Sequence, residues 1–345
     1  MKLTAEPITL DLITTFRIAH GADDQRHNVV ACLDYKDVQG FGEAPGVVYH
    51  GETQEGILTY LESAASLIGD DPYLIDAVLK QLPLGSRAAR CAVDVALHDL
   101  WGKLVGQPLY RLFGLDPGQI PLTSFTIPMD EPSRMAERAR HSSYPIIKVK
   151  VGGNQDEAVI KAIRQATDAR LRLDANAGWQ REQALQLIPR LVEYEVELIE
   201  QPLPVNDLEG LVWLRNQLRA QGIHMPIFAD ESVKSSRDVA AHRDAVDGVV
   251  IKLAKTGGLR EAYRAIAVAR ALDKQVMISC MVETTLGVTA AAHLAPLCDF
   301  VDLDGPLLIR NDPFDGIRYQ GAQLILPDAP GLGVSRKQVE SPPGS

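Results

Sequence analysis

Residues 146–174 read IIKVKVGGNQDEAVIKAIRQATDARLRLD, a stretch with two short strands and a helix between them. The runs 146–151 and 171–174 are short and rich in Ile, Val and Leu, which is typical of strands. Apolar residues at helical spacing predict a helix over 156–169. The resulting β-α-β unit ends its two strands in charged residues, Lys150 and Asp174.

The same alternation of strand and helix continues on both sides of this unit, with helices predicted at 181–194 and 259–272. Eight strands are predicted, at 122–127, 146–151, 171–174, 198–200, 227–230, 248–253, 276–280 and 300–304. Their number and spacing fit a compact TIM-like barrel. The alternative is a doubly wound open sheet, which would carry a G-x-G-x-x-G turn after its first strand, and no such turn occurs there.

The chain before the barrel is organised differently. Residues 1–47 predict short strands and residues 52–114 predict helices, one of which spans 86–105 and is stopped by the G-Q-P of residues 106–108. The polar stretch 20–27 between the first two strands predicts a mobile loop. We therefore expect an α/β protein with an α+β domain at 1–115, a barrel at 116–315 and a C-terminal segment at 316–345 that packs back on the first domain.

Composition excludes several classes of protein. The 345 residues carry a net charge of −10, which argues against binding nucleic acid through a general electrostatic footprint. No apolar run approaches the roughly 18 residues of a membrane span, and the N-terminus lacks the apolar core of a signal peptide. The four cysteines are scattered, which favours reduced thiols, a cytoplasmic location and no zinc site.

Carboxylates end three consecutive barrel strands: Asp174, Glu200 and Asp230. The C-terminal ends of barrel strands meet at one mouth, so we expect these three side chains to converge there. Three anionic groups at one point repel one another unless a cation neutralises them. Oxygen ligands without His or Cys favour Mg²⁺. The sequence therefore predicts a magnesium site.

Lysines flank the predicted metal site. Lys148 and Lys150 are two residues apart and share one face of their strand, while Lys252 ends the sixth strand, almost across the barrel. Clustered cations and a bound metal lower the proton affinity of a lysine and let it act as a base near neutral pH.

These motifs, in this order and spacing, resemble the muconate-lactonizing subgroup of the enolase superfamily over essentially the whole chain. The matching segments are K-V-K at 148–150, D-A-N at 174–176, E-Q-P at 200–202, D-E-S at 230–232, I-K-L at 251–253, K-T-G-G at 255–258, A-V-D-V-A-L-H-D-L at 92–100 and G-K at 102–103. The resemblance implies an N-terminal capping domain, a (β/α)7β barrel, and Mg²⁺ held by Asp174, Glu200 and Asp230.

A narrower resemblance rests on the D-L-D of residues 302–304, which looks like the mark of the dipeptide epimerases, among them Ala-Glu epimerase. There the two carboxylates bind the free α-ammonium group of the substrate, and two carboxylates on one strand face can indeed clamp one cation. The resemblance implies a Mg²⁺-dependent isomerase that inverts the α-carbon of the C-terminal residue of a dipeptide through an enediolate. Lys150 and Lys252 would be the two bases, with Lys148 binding the substrate carboxylate and Asp302 and Asp304 its ammonium group.

Further residues are expected near the substrate. Glu283 follows the seventh strand and is predicted to line the pocket. His20, Asp23 and Asp24 lie on the segment that in this family closes over the substrate. Where Ala-Glu epimerases have an arginine, this chain has His20 followed by two aspartates, a departure that leaves the side-chain preference of the dipeptide open.

Other functions remain as alternatives. Relatives with much the same lysines are o-succinylbenzoate synthase, N-succinylamino acid racemase and muconate cycloisomerase, whose substrates lack the free ammonium group that a D-x-D pair would bind. A Schiff-base lysine aldolase and a non-catalytic binding protein are further alternatives. The expected partner is a small-molecule dipeptide, with neither nucleic acid nor a membrane, and a homo-oligomer is possible.

Overall fold

Two β-sheets organise the chain, one antiparallel with three strands and one parallel with eight. The computed structural model describes residues 1–338, so the last seven residues of the predicted C-terminal segment lie outside the described part. The three-stranded sheet comes first and has the order β1 (Lys2–Ile18), β2 (Gly21–Tyr35) and β3 (Val38–Ala44).

The hairpin of β1 and β2 runs through the stretch that was predicted to be a mobile loop. Arg17 pairs with Ala22, and Ile18 with Gly21, so the turn occupies only residues 19 and 20. The loop prediction for 20–27 is therefore wrong. A strand forms through backbone pairing and does not require apolar side chains. Residues 21–27 are mostly exposed, so their sequence carries no alternating apolar pattern that would reveal the strand.

Helices cover one side of this small sheet. They are α1 (Gln54–Ala65), α2 (Ile75–Gln81), α3 (Arg87–Val105) and α4 (Leu109–Leu112). The ends of α3 are as predicted: the Ser86 side chain accepts a hydrogen bond from the Ala89 amide, and Gly106 ends the helix in a left-handed conformation. Gly42 of β3 lets α3 approach closely, because a Cβ there would lie 2.0 Å from the Ala92 carbonyl oxygen.

The parallel sheet contains the eight strands of the barrel. They are β4 (Phe125–Ile127), β5 (Ile146–Lys150), β6 (Arg170–Asp174), β7 (Val196–Glu200), β8 (Ile227–Ala229), β9 (Gly248–Lys252), β10 (Gln275–Ser279) and β11 (Phe300–Asp302). The ring closes between β11 and β4, where Thr123 bridges Val301 and the Ser124 amide donates to the Val301 carbonyl at 3.1 Å. The predicted bounds are mostly within one residue of these. The larger differences are at β7, which begins two residues earlier than predicted, at Val196, at β11, which ends two residues earlier, at Asp302, and at β4, which begins three residues later, at Phe125.

Helices follow the first seven barrel strands. They are α5 (Pro132–His141), α6 (Asp156–Ala166), α7 (Arg181–Leu191), α8 (Leu208–Ala220), α9 (Ser236–Ala241), α10 (Leu253–Thr256), α11 (Leu259–Ala271) and α12 (Thr285–Ala292). After β11 the chain forms a 3₁₀ helix, Gly305–Leu308, instead. The architecture is thus the (β/α)7β barrel that was expected, with an N-terminal α+β unit.

Short elements complete the described chain. Four small strands follow the barrel, β12 (Phe314–Asp315), β13 (Arg318–Gln320), β14 (Gln323–Ile325) and β15 (Ser335–Arg336). The remaining 3₁₀ helices are Val48–His50, Pro117–Gln119, Val192–Tyr194 and Ala295–Leu297. Within residues 1–338, no helix is both long enough and apolar enough to cross a membrane.

Buried carboxylates of the N-terminal unit fasten it to the barrel. Glu43 accepts hydrogen bonds from the amides of Thr284 and Gly287 at the start of α12, each at 3.1 Å. Asp94 of α3 likewise accepts from the Leu259 amide at the start of α11. Each carboxylate satisfies helix N-terminal N–H groups that lack partners within the helix and complements the positive end of the helix dipole. The N-terminal unit is therefore held at a defined place on the barrel.

Candidate active site

Three carboxylates converge at the barrel mouth, as the strand ends predicted. Asp174 pairs in register with Glu200 on the neighbouring strand, and Asp230 directly follows β8. One oxygen of each side chain lies within 4.8 Å of the others, and the three residues are 0–1% exposed. Both side-chain oxygens of Glu200 lack a hydrogen-bond donor of acceptable geometry. Buried anionic oxygens at this spacing, two of them unsatisfied, fit a divalent cation such as Mg²⁺.

The charges at this point interact strongly. Burial and the nearby Asp174 raise the pKa of Glu200 well above its ordinary range. Burial alone would raise the pKa of Asp174, but the ammonium groups of Lys148 and Lys150 outweigh it and hold the pKa low. The pKa of Asp230 is also held well below its usual range, since Lys252 and Lys255 outweigh its burial. The site is thus a dense alternation of carboxylates and amines.

Two lysines stand on opposite sides of the carboxylates. Lys150, at the end of β5, donates from Nζ to Asp174 Oδ2 at 2.6 Å. Lys252, at the end of β9, donates from Nζ to Asp230 Oδ2 at 2.7 Å. Three strands separate β5 from β9 in the ring of eight, so the two ammonium groups approach the mouth from opposite walls. A small molecule bound between them would present one face to each lysine.

The third lysine lies at the centre of the cluster. Lys148 Nζ is 3.1 Å from Asp174 Oδ2, 2.8 Å from Glu200 Oε2 and 2.8 Å from Asp302 Oδ2. Burial would lower its pKa, but the carboxylates Asp174, Asp302 and Glu200 raise it well above the ordinary value. Lys252 behaves in the same way. The protein groups around Lys148 and Lys252 therefore do not supply the lowered proton affinity expected from the sequence, and a cation bound among the carboxylates would act in that direction.

The two aspartates of the D-L-D segment have different surroundings. Asp302 accepts hydrogen bonds from Ser124 Oγ at 2.6 Å, Lys148 Nζ at 2.8 Å and Ser279 Oγ at 2.8 Å. Among the described residues, Asp304 is held only by Thr126, and the Thr126 amide donates to Asp304 Oδ2 at 2.6 Å. Burial and the nearby Asp302 raise the pKa of Asp304 to about 7. Asp304 is therefore the member of the pair with acceptor capacity to spare.

Glu283 lies beside a second buried carboxylate. Its Oε1 accepts from the Met281 amide at 2.8 Å, and a Cβ on Gly287 would lie 2.3 Å from Glu283 Oε2 and 3.0 Å from Glu43 Oε2. Burial and the nearby Glu43 raise the pKa of Glu283 to about 8, so this side chain holds a proton at neutral pH. Sequence reasoning missed Glu43, which is 241 residues from its partner Thr284.

The hairpin tip lies over the rim of the mouth. The Met129 amide after β4 donates to the Arg17 carbonyl at 3.0 Å, and Ala19 packs against Gly152 after β5. His20 stacks on Tyr49, with ring centroids 5.3 Å apart, and both side chains line a cavity of about 750 Å³.

The two aspartates that follow His20 are engaged within the hairpin. Asp23 forms an ion pair with Arg26, and Asp24 accepts from Thr15 Oγ1 at 2.6 Å. Of the hairpin residues predicted to contact the substrate, His20 and Asp23 line this cavity, whereas Asp24 lines a separate cavity that Asp23 also borders.

The fold and site define a (β/α)7β-barrel enzyme with a candidate metal centre between two lysines. The model for the mandelate racemase / muconate lactonizing enzyme N-terminal domain matches residues 6–114, and the enolase C-terminal domain-like model matches residues 132–339. The chain belongs to this family, which confirms the resemblance inferred from its motifs.

Relatives of the chain include proteins of defined activity. It is 38% identical to the L-Ala-D/L-Glu epimerase of Bacteroides thetaiotaomicron over 342 residues, covering 97% of this chain and 88% of that protein. A crystal structure of a dipeptide epimerase from Enterococcus faecalis V583, complexed with Mg and L-Leu-L-Tyr, superposes with a TM-score of 0.91 at 33% identity and covers 97% and 99% of the two chains. That of a dipeptide epimerase from Cytophaga hutchinsonii, complexed with Mg and D-Ala-L-Val, gives 0.93 at 30% identity, covering 99% and 97%.

Proposed function

We propose that this protein is a Mg²⁺-dependent dipeptide epimerase, an isomerase that inverts the α-carbon of the C-terminal residue of a dipeptide. The observation that carries the proposal is the pair of lysines, Lys150 and Lys252, on opposite walls of one carboxylate cluster. An α-carbon is inverted when a proton leaves from one face and returns to the other, and this requires a base on each side. The named relatives and their dipeptide complexes support the same activity.

Asp174, Glu200 and Asp230 would hold the metal. Their oxygens are close enough to share one cation, and their burial makes that cation favourable. When bound, Mg²⁺ would stabilise the charge that develops on the carboxylate of the substrate as the α-proton leaves. Lys148, which already contacts two of these carboxylates, is placed to hold that substrate carboxylate electrostatically.

The two bases exchange roles with the direction of reaction. Lys150 would remove the α-proton from one face and Lys252 would deliver a proton to the other, and the reverse reaction uses them in the opposite order. Each lysine reaches the mouth from a buried strand end, so its position is set by the barrel and not by a loop.

Recognition of a free ammonium group would distinguish a dipeptide from an N-acylated substrate. We assign this role to the D-L-D segment, with Asp304 as the main acceptor because Asp302 is already engaged by Lys148 and two serines. Glu283, His20, Asp23 and Asp24 remain predicted substrate contacts. The division into 1–115, 116–315 and 316–345, a homo-oligomer and a cytoplasmic location also belong to this proposal.

Proton exchange in D₂O tests the proposal. A dipeptide library incubated with enzyme and Mg²⁺ should give products one mass unit heavier, labelled at the C-terminal α-carbon, and both epimers should appear. Lys150→Ala and Lys252→Ala should each abolish epimerisation, while the lysine that remains should still exchange the proton of one stereoisomer. Epimerisation by either variant at the rate of the unaltered enzyme, or activity that survives complete removal of metal, would contradict the two-base, metal-dependent mechanism.

A further inference from the structure

Lys255 is a buried amine in the site that the mechanism above does not use. It lies in α10, immediately after the strand that carries Lys252, and is 4% exposed. A buried ammonium group without partners is costly, so its contacts indicate why it is there.

The contacts of Lys255 are with Asp230 and with the strand that carries Lys252. Its Nζ donates to the main-chain oxygen of Asp230, to Oδ1 of the same residue, and to the Val250 carbonyl at 3.2 Å. An ammonium group has three N–H donors, so these three acceptors use all of them. All the contacts of Lys255 Nζ are thus with these protein oxygens, and none of them is directed at the place where a substrate would bind.

Asp230 is bound differently at its two oxygens. Oδ1 faces Lys255, whereas Oδ2 receives Lys252 Nζ at 2.7 Å. Lys255 also donates to the main-chain oxygen of Asp230, so it holds both the backbone of Asp230 and the rotation of its carboxylate. Two lysines three residues apart therefore have different tasks. Lys252 faces the mouth, and Lys255 holds the other oxygen of the proposed metal ligand Asp230.

The local sequence explains why Lys255 can reach this position. After Lys252 the chain turns at once into the four-residue helix α10, which ends at Gly257 in the left-handed region (φ 83°). A side chain with a Cβ is rarely found in that conformation, and the glycine allows the reversal that keeps Lys255 beneath Asp230.

We propose that Lys255 is a positioning residue that tunes metal affinity by orienting Asp230. The inference rests on the proposed function, because it takes Asp230 to be a Mg²⁺ ligand. Groups that orient metal ligands typically change metal affinity or activity by 10- to 100-fold when they are removed. The loss should be one of metal binding and should be recovered at high Mg²⁺ concentration.

The test is Mg²⁺ binding to the substrate-free enzyme by isothermal titration calorimetry, with the Mg²⁺ dependence of epimerisation measured in parallel. Lys255→Met should raise the Mg²⁺ Kd by about 10- to 100-fold, and saturating Mg²⁺ should restore most of kcat. The matched control is Lys234→Met. Lys234 and Lys255 line one cavity of about 40 Å³, but in the described structure Lys234 forms no hydrogen bond with Asp230. This control should bind Mg²⁺ like the unaltered enzyme.

A second variant covers the case in which Lys255→Met does not fold. Lys255→Gln keeps one amide donor for Asp230 and should give a smaller increase in Kd. An unchanged Mg²⁺ Kd in a folded Lys255 variant would overturn the assignment, as would a loss of kcat that no Mg²⁺ concentration restores. If the unaltered enzyme bound no Mg²⁺, the proposed function would fail together with this inference. If the unaltered enzyme binds Mg²⁺ and a folded Lys255 variant binds it equally well, only this inference fails, so the two failures are distinguishable.

Discussion

Replacing Asp304 by Asn should separate recognition of the substrate ammonium group from the chemistry at the α-carbon. Asp304 is 3% exposed and, in the described chain, is held by Thr126 alone, so an asparagine oxygen can still accept that hydrogen bond. What the substitution removes is the negative charge. A hydrogen bond to a charged group contributes about 1.5–3 kcal/mol, which corresponds to a loss of roughly 10- to 160-fold in kcat/KM.

The size of the loss should depend on pH. The pKa of Asp304 is raised to about 7 by burial and by Asp302, so the carboxylate forms as the pH rises through this value. At pH 6 most of the unaltered enzyme carries a neutral Asp304 and resembles the variant. The ratio of kcat/KM between the unaltered enzyme and Asp304→Asn should therefore grow from pH 6 to pH 8, with the unaltered enzyme the faster.

The assay compares a free dipeptide with its N-acetylated form, in which the ammonium group is an uncharged amide. The unaltered enzyme should prefer the free dipeptide, and Asp304→Asn should lose that preference while acting on the acetylated form about equally. Asp315→Asn, which removes a charge from an exposed residue of β12, is the control and should leave kcat/KM unchanged for both substrates. An equal loss on both substrates, or a loss independent of pH, would refute the assigned role.

Three further predictions concern stability. Glu283 has a pKa of about 8 in the folded protein against an ordinary value of 4.5, so between these values the folded protein holds a proton that the unfolded chain has lost. The free energy of unfolding should therefore fall as the pH rises through this window. Glu283→Gln should flatten that slope in thermal melts from pH 5 to 9. Gly42→Ala would place a Cβ against the Ala92 carbonyl and should cost about 1–3 kcal/mol in denaturant titrations, whereas Gly69→Ala, with no atom within 4 Å of the new Cβ, should be nearly neutral; equal losses would contradict the packing argument. Mg²⁺ at about 100 times its Kd should stabilise the protein by about 2.7 kcal/mol relative to chelated samples, and an unchanged melting temperature would argue against the metal site.

The barrel and its reactive strand ends could be predicted because they depend on local pattern. Glu200 and Lys252 each follow a short apolar run, Asp174 ends the L-R-L-D of residues 171–174, and parallel strands necessarily bring their ends to one edge. The limits of α3 were predictable for the same reason, since Ser86 and Gly106 act on the adjacent turn. What the pattern could not reveal was the extended hairpin, whose polar residues pair through the backbone alone.

Pairing between distant side chains was also beyond the sequence, and the D-L-D segment shows the physical reason. A spacing of two residues places side chains on one face only while the strand continues, and β11 ends at Asp302. Asp302 therefore points into the barrel, where Ser124, Ser279 and Lys148 engage it, whereas Asp304 lies beyond the strand against Thr126. Two aspartates that are equivalent in the sequence thus acquire different tasks, mainly from Ser124, Lys148 and Thr126, which are more than 150 residues away. One aspartate is bound into the lysine cluster, and the other is available to a substrate cation.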